Sequence, residues 1–326
     1  MTSQTPASAE RSILDAVMAG NLRQAGRLIS RVEAGDTSVA PLIAALEEKR
    51  RTTPVVGITG PPGAGKSTLL DGLICHLRAS HLRVAVLAVD PSSPFTGGAI
   101  LGDRIRMGRH AADSGVFIRS MASRASLGGM AVAAGDALTV LAALDFDWIF
   151  IETVGVGQNE VEIVDHADTV VVVVTPHSGD AIQAVKAGVL EVGDVYLVNK
   201  ADTGAAQRTV SALREALHRG AEQARWLPPI LSAEAANGVG LDAVLAALRQ
   251  HRDYLASNPD EFSAREQHRM RIRLERLVLA EVEQRLHRPG PLRDTLDHWL
   301  GEAAQKRCSP RVAAAAIINT LGITGE

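Results

Sequence analysis

Cysteine is nearly absent from this 326-residue chain. The two present, Cys75 and Cys308, lie far apart and at no metal-ligand spacing, so neither a disulfide framework nor a cysteine metal site is expected, and two reduced thiols are. An excess of one charge is lacking as well. With 34 Lys and Arg against 37 Asp and Glu, the net charge is −3 and the signs are interspersed. That gives no surface for nucleic acid or an anionic membrane, so any polyanion bound here should be local and small. No hydrophobic run is long enough to span a bilayer: Val170 to Val174 is far too short and reads as a buried strand. Residues Met1 to Glu10 have neither the apolar core of a secretory signal nor the arginine enrichment of a transit peptide. Internal repeats and low-complexity tracts are missing too. Together these absences point to a soluble cytoplasmic protein that binds neither nucleic acid nor membrane.

What the chain does have is alternation. From Thr53 to about Tyr254, apolar β-branched runs recur between stretches of helical spacing: Val55 to Thr59, Val84 to Val89, Val116 to Met121, Trp148 to Glu152, Thr169 to Thr175, Val195 to Asn199 and Pro229 to Ser232. The pattern predicts an α/β domain with a mostly parallel sheet covered by helices on both faces, and ligands bind such sheets at the C-terminal strand ends. Ahead of it, Ile13, Val17, Leu22, Leu28, Ile29, Leu42, Ile43 and Leu46 recur at helical intervals, broken by Gly20 and a Gly35-Asp36-Thr37-Ser38 turn. Two or three helices are expected there. After Asn258-Pro259 a charged helix from Glu261 to His287 precedes two more helical stretches. Its stripe of Met270, Leu274, Leu277, Val278, Glu281 and Val282 either lies on the main domain or meets a second subunit, and the arginines from Arg265 to Arg276 read most simply as solvating a helix face, with an interface to an acidic partner surface as the alternative. Domains are thus expected at 1–51, 52–257 and 258–326.

Gly60-Pro61-Pro62-Gly63-Ala64-Gly65-Lys66-Ser67-Thr68 stands between the first strand and a helical run, the order in which backbone N–H groups and a helix N-terminus cradle a triphosphate. The three glycines permit close backbone approach, Lys66 would reach the β- and γ-phosphates, and Ser67 would offer its hydroxyl to Mg²⁺. Three carboxylates compete for that metal: Asp90 ending the second strand, Asp103 in the loop after it, and Glu152 ending the fourth. Mg²⁺ takes only one or two protein oxygens besides waters, so not all three need bind directly. Asp90 and Glu152 rank first, because a carboxylate ending an apolar strand is costly without a cation. For Asp103, a salt bridge to Arg104 or Arg106 is the alternative.

Asn199-Lys200-Ala201-Asp202 follows another strand directly. A carboxylate there accepts from both N1–H and the exocyclic amine of guanine, whereas adenine presents an acceptor at N1 and no amine at C2. Asp202 should therefore select GTP over ATP, with Ser232 and Ala233 supplying backbone that closes over the base. Gly155 offers a backbone N–H to the γ-phosphate. Small GTPases carry a water-positioning glutamine directly after that glycine, but Val156 stands here. Gln158 or a partner's group is expected to order the water, and unassisted hydrolysis to be slow. Lys66, Glu152 and Gln158 are the catalytic candidates.

The run from Ala88-Val89-Asp90-Pro91-Ser92-Ser93-Pro94 to Asp103-Arg104-Ile105-Arg106-Met107, with Glu152-Thr153-Val154-Gly155-Val156-Gly157-Gln158, resembles the MeaB/ArgK family of GTPases. The resemblance implies a P-loop GTPase domain with an N-terminal helical extension and a C-terminal dimerisation arm. It further implies a homodimer acting as chaperone to an adenosylcobalamin-dependent acyl-CoA mutase, methylmalonyl-CoA mutase or a close relative, with GTP/GDP and Mg²⁺ as ligands and GTP turnover gating cofactor loading, protection or repair. By the same resemblance Asn199, Lys200 and Asp202 would read guanine. The segment from Pro176 to Lys186 is similar to one that couples nucleotide state to the mutase, through Ser178, Gly179, Asp180, Gln183 and Lys186. His177 and Ala181 depart from that pattern, as do Arg124 and Ala125 in the loop after the third strand. A nickel-insertion GTPase is an alternative, disfavoured because no His-rich tract or paired Cys/His ligands occur. A kinase linked to amino-acid transport is another, disfavoured by Asp202.

Overall fold

A computed structural model describes residues 8–48, 53–91, 108–123, 129–153, 165–176, 192–218 and 225–322. Its described helices and strands run, in chain order, α1 (Ser8–Met18), α2 (Leu22–Glu33), α3 (Ala40–Glu47), β1 (Val55–Thr59), α4 (Lys66–Ala79), β2 (Val84–Pro91), β3 (Val116–Ser123), α5 (Gly129–Ala142), β4 (Trp148–Thr153), β5 (Thr169–Val174), β6 (Val195–Asn199), α6 (Ala206–His218), β7 (Ile230–Ala233), α7 (Leu241–Ser257), α8 (Pro259–His287), α9 (Pro291–Ala304) and α10 (Pro310–Asn319). All seven expected strands form, with ends within two residues of their sequence positions. They pair in the order β3-β2-β4-β1-β5-β6-β7, and every pairing is parallel.

The alternation of side chains across the pleat divides the core in two. Val55, Ile149, Ile151, Val170, Val172 and Val174 face a cluster with Leu28, Ile29, Leu42 and Leu46 of α2 and α3 and with Leu138 and Leu141 of α5. Val56, Ile58, Phe150, Val171 and Val173 face the other, with Leu69, Leu73 and Leu77 of α4 and with Val244 and Leu248 of α7. Both faces are dry, which is why β1, β4, β5 and β6 are buried at every position and read as unbroken apolar runs. The N-terminal helices belong to the first cluster, covering the sheet. Asn21 starts α2 by accepting from the backbone N–H groups of Arg23 and Gln24.

Strand β1 lies between β4 and β5, and the chain crosses over it in passing from β4 to β5. The crevice beyond the C-terminal ends of β4, β1 and β5 is where this topology places ligands.

The chain divides into two compact units, Met1–Arg273 and Leu274–Glu326, with the boundary inside α8. In the first, α8 has no buried residue and is held by ions. Arg265 meets Asp194 at 2.9 Å, Arg269 meets Asp168 at 2.8 Å, and Arg273 meets Asp136 at 2.9 Å and also Glu47. These arginines do not solvate a helix face, as their local sequence suggests; at four-residue spacing they share one face and seat it on β6, β5, α5 and α3. In the second unit Leu292 of α9 and Ala313 of α10 are buried, while Leu274, Val278 and Leu279 are more than half exposed. Among the described residues no helix is long and apolar enough to cross a membrane.

Candidate functional site

The phosphate loop is shaped by backbone that only glycine tolerates. Gly60 has φ +135°, and a Cβ there would lie 2.0 Å from the carbonyl oxygen of Val173 in β5. Gly65 has φ +89°, and its Cβ would lie 2.4 Å from Nδ2 of Asn199. The loop is thus pressed against two neighbouring strands. Gly65 is also the residue that starts α4, and no side chain caps that helix. Its first-turn N–H groups lack a side-chain cap where an anion would be welcome.

Lys66 is buried, 6% exposed, with its ammonium folded back on the loop: Nζ donates to the carbonyls of Gly60 at 2.6 Å and Pro61 at 3.0 Å. A triphosphate entering the loop would offer stronger acceptors to the same charge. Ser67, the next residue, donates through Oγ to Oε1 of Glu152 at 2.7 Å. Glu152 is the penultimate residue of β4 and 1% exposed. Register explains their meeting, since Glu152 stands opposite Ile58 of β1 and Ala88 of β2. A buried hydroxyl and a buried carboxylate beside a phosphate loop form the hard oxygen set that suits Mg²⁺. The other two metal candidates are less fully placed: the backbone of Asp90 pairs with Ala122 near the end of β2, and Asp103 lies outside the described residues.

Asn199 ends β6 and is 2% exposed. Its Nδ2 donates to the carbonyl of Ala64 in the phosphate loop at 2.8 Å, and its Oδ1 accepts from the backbone N–H of Ala235 at 3.0 Å. One side chain therefore braces the phosphate loop, the end of β6 and the turn after β7. Lys200 then adopts the left-handed conformation with φ 59°, uncommon for a side chain with a Cβ. It turns the chain outward into a short 3₁₀ segment, Ala201–Thr203, on which Asp202 is exposed. Ser232 is exposed and Ala233 buried at the end of the neighbouring β7. Ala235, two residues beyond, is the link that sequence reasoning missed. Nothing in its own identity marks it, because it contributes a backbone N–H.

Gly60 to Thr68, Glu152, Asn199, Lys200, Asp202, Ser232 and Ala233 thus gather along one edge of the sheet, at the ends of β1, β4, β6 and β7. Gly155 and Gln158 lie outside the described residues, as do Ser178, Gly179, Asp180, Gln183 and Lys186.

Comparison with known proteins agrees with this geometry. The family model for "Methylmalonyl Co-A mutase-associated GTPase MeaB" matches residues 25–289. A Pyrococcus abyssi protein named as a GTPase is 41% identical over 320 residues, 95% of this chain and 96% of the relative. GTPase ArgK of Escherichia coli is 38% identical over 208 residues, 62% of each chain. The mitochondrial methylmalonic aciduria type A homolog of Mus musculus is 31% identical over 270 residues, covering 81% of this chain and 64% of the relative. The crystal structure of a LAO/AO transport system kinase superposes with a TM-score of 0.71 at 23% identity, over 98% of this chain and 100% of that one, and shares the fold. With a family match spanning most of its length and a phosphate loop assembled as such an enzyme requires, the chain belongs to the MeaB family of methylmalonyl-CoA mutase-associated GTPases and is itself a GTPase.

Proposed function

We propose that this GTPase is a nucleotide-dependent chaperone of an adenosylcobalamin-dependent acyl-CoA mutase, methylmalonyl-CoA mutase or a close relative. The observation that carries the reading is the family match over residues 25–289, joined to a phosphate loop braced by Asn199. The name of the mouse relative supports the same client class.

In this reading the loop N–H groups and Lys66 hold the β- and γ-phosphates, and Lys66 gives up the carbonyls of Gly60 and Pro61 as it does so. Ser67 and Glu152 hold Mg²⁺, directly or through water, with Asp90 and Asp103 as further candidates. The ion, when bound, neutralises charge on the phosphate oxygens. Asp202 accepts two hydrogen bonds from guanine, while Asn199 keeps the base-side turn in register with the phosphate side. Ser232 and Ala233 flank the base. Gly155 and Gln158 are assigned to the γ-phosphate and the attacking water. Slow unassisted turnover, acceleration by the mutase, cytoplasmic location and a homodimer formed through residues 258–326 belong to the same proposal. So does the coupling role of Ser178, Gly179, Asp180, Gln183 and Lys186. The exposed Leu274, Val278 and Leu279 are consistent with a subunit contact on that segment.

The test is association of the purified chain with a purified methylmalonyl-CoA mutase, measured with GDP, with a non-hydrolysable GTP analogue and without nucleotide. A ligand shifts a binding equilibrium only through differential affinity, so the proposal requires the mutase affinity to differ between the two nucleotides. No association, or equal affinity in both states, would contradict it.

A further inference from the structure

At the opposite, N-terminal edge of the sheet lies a buried polar cluster that nucleotide chemistry does not use. His251 of α7 is fully buried. Its Nδ1 lies 2.8 Å from Oγ1 of Thr169 at the start of β5, and its Nε2 lies 3.3 Å from Oδ1 of Asp194, just ahead of β6. Asp194 accepts from the backbone N–H of Val170 at 2.9 Å through Oδ2, and from Arg265 of α8 at 2.9 Å through Oδ1. Trp226 donates through Nε1 to the carbonyl of Asp194 at 2.9 Å, and its ring packs on His251 and Tyr254 with centroids 4.8 and 5.0 Å away. The Tyr254 hydroxyl donates to Glu261 of α8, which also accepts from Arg265 at 3.2 Å.

These contacts favour one charge state of the imidazole. Nδ1 and the Thr169 hydroxyl share one hydrogen bond, while Nε2, 3.3 Å from Asp194, makes none, so no hydrogen bond awaits a second proton on the ring. Asp194 is then left as the counter-ion of Arg265. A second proton on the ring would set two cations against one buried carboxylate. The other acidic groups nearby are already engaged: Glu261 by Tyr254 and Arg265, and Asp168 by Arg269 and the backbone N–H of Val55. Burial accordingly holds the imidazole below its ordinary value, with Asp194 pulling the other way. Because α8 buries no residue, loosening Arg265 removes a substantial part of its hold.

We propose that His251 is the catch of a pH-sensitive latch: neutral, it leaves Arg265 seated on Asp194 and the first turns of α8 fastened to the sheet edge, and protonation unseats them. The direction follows from linkage. Opening of α8 frees the imidazole toward its ordinary value of 6.5, and in the closed state burial holds it lower. The latch therefore holds fully above that pH and weakens about tenfold per pH unit below it, until the closed state's own pKa is reached.

Hydrogen exchange of the amides in residues 259–273, corrected for the intrinsic effect of pH, tests this on the full chain between pH 7.5 and 5.5. The expected result is about a fivefold rise in opening from pH 6.5 to 5.5, accompanied by a change in Trp226 fluorescence, with both responses absent in His251→Gln. A pH response of equal size in His251→Gln, or none in the parent chain, would overturn the proposal. Should His251→Gln fail to fold, Arg265→Gln takes its place: it should be open already at pH 7.5 and lose the pH step, and a full step retained there would equally overturn it.

Discussion

The two edges of this parallel sheet are held together in opposite ways. At the C-terminal edge, cations and hydroxyls are spaced by short-range sequence: Lys66 and Ser67 are adjacent, and Asn199 to Asp202 form one turn. At the N-terminal edge, Arg265, Arg269 and Arg273 reach carboxylates that lie 71, 101 and 137 residues away in the chain. Asp168 and Asp194 each do double duty there, one oxygen accepting from the first residues of a neighbouring strand and the other taking an arginine. The first edge is built to admit a ligand. The second is closed by the protein's own charges, and the difference teaches that one sheet can be chemically open at one end and internally compensated at the other.

That comparison can be broken by mutation. Lys66→Ala should have the largest effect, reducing GTP hydrolysis by on the order of 10³-fold with the fold retained, as measured by single-turnover kinetics beside circular dichroism. Near-normal turnover would mean that this edge is not the catalytic one. Asn199→Ala should act on both stability and ligand, because it leaves the Ala64 carbonyl and the Ala235 N–H without their partner. A loss of about 2 kcal/mol in denaturant unfolding, with weakened GTP binding, is expected. If GTP affinity is unchanged, the brace does not shape the phosphate loop.

At the other edge Arg269→Ala should cost about 2 kcal/mol of stability, since both members of its pair are less than one-fifth exposed, and leave GTP affinity intact. The matched control is Arg285→Ala. Arg285 and its partner Glu281 are more than half exposed, so the change should stay within about 0.5 kcal/mol. Equal effects from these two arginines would erase the distinction between a seated and a solvated pair.

Legibility in the sequence follows the same divide. The strands announce themselves because both faces of the sheet are dry, so β1, β4, β5 and β6 are apolar without interruption, and the phosphate loop and the turn from Asn199 to Asp202 are each one contiguous segment. Glu152 was placed correctly near the end of β4 by counting along a strand, although its contact with Ser67 depends on β4 and β1 being neighbours. Asn199 was read with the base, yet both ends of its side-chain amide go to backbone. The receiving groups belong to Ala64 and Ala235, and an alanine's amide leaves no mark in a sequence. Arg265, Arg269 and Arg273 look solvated in the sequence for a related reason: a basic residue every fourth position looks the same whether it faces water or carboxylates far away in the chain. Local pattern reports which residues share a face, and only tertiary structure reports what that face meets.

The central claim is that Lys66 and Asp202 hold opposite ends of one guanosine triphosphate. Calorimetric titration of the parent chain and of Asp202→Asn with GTP and ATP, both with magnesium, tests it most directly. The account predicts that GTP binds the parent chain and ATP does not, and that Asp202→Asn lowers the preference for GTP by about 10- to 100-fold without changing the melting temperature, since Asp202 is exposed. Equal affinity of the parent chain for the two nucleotides, or a preference untouched by Asp202→Asn, would contradict it.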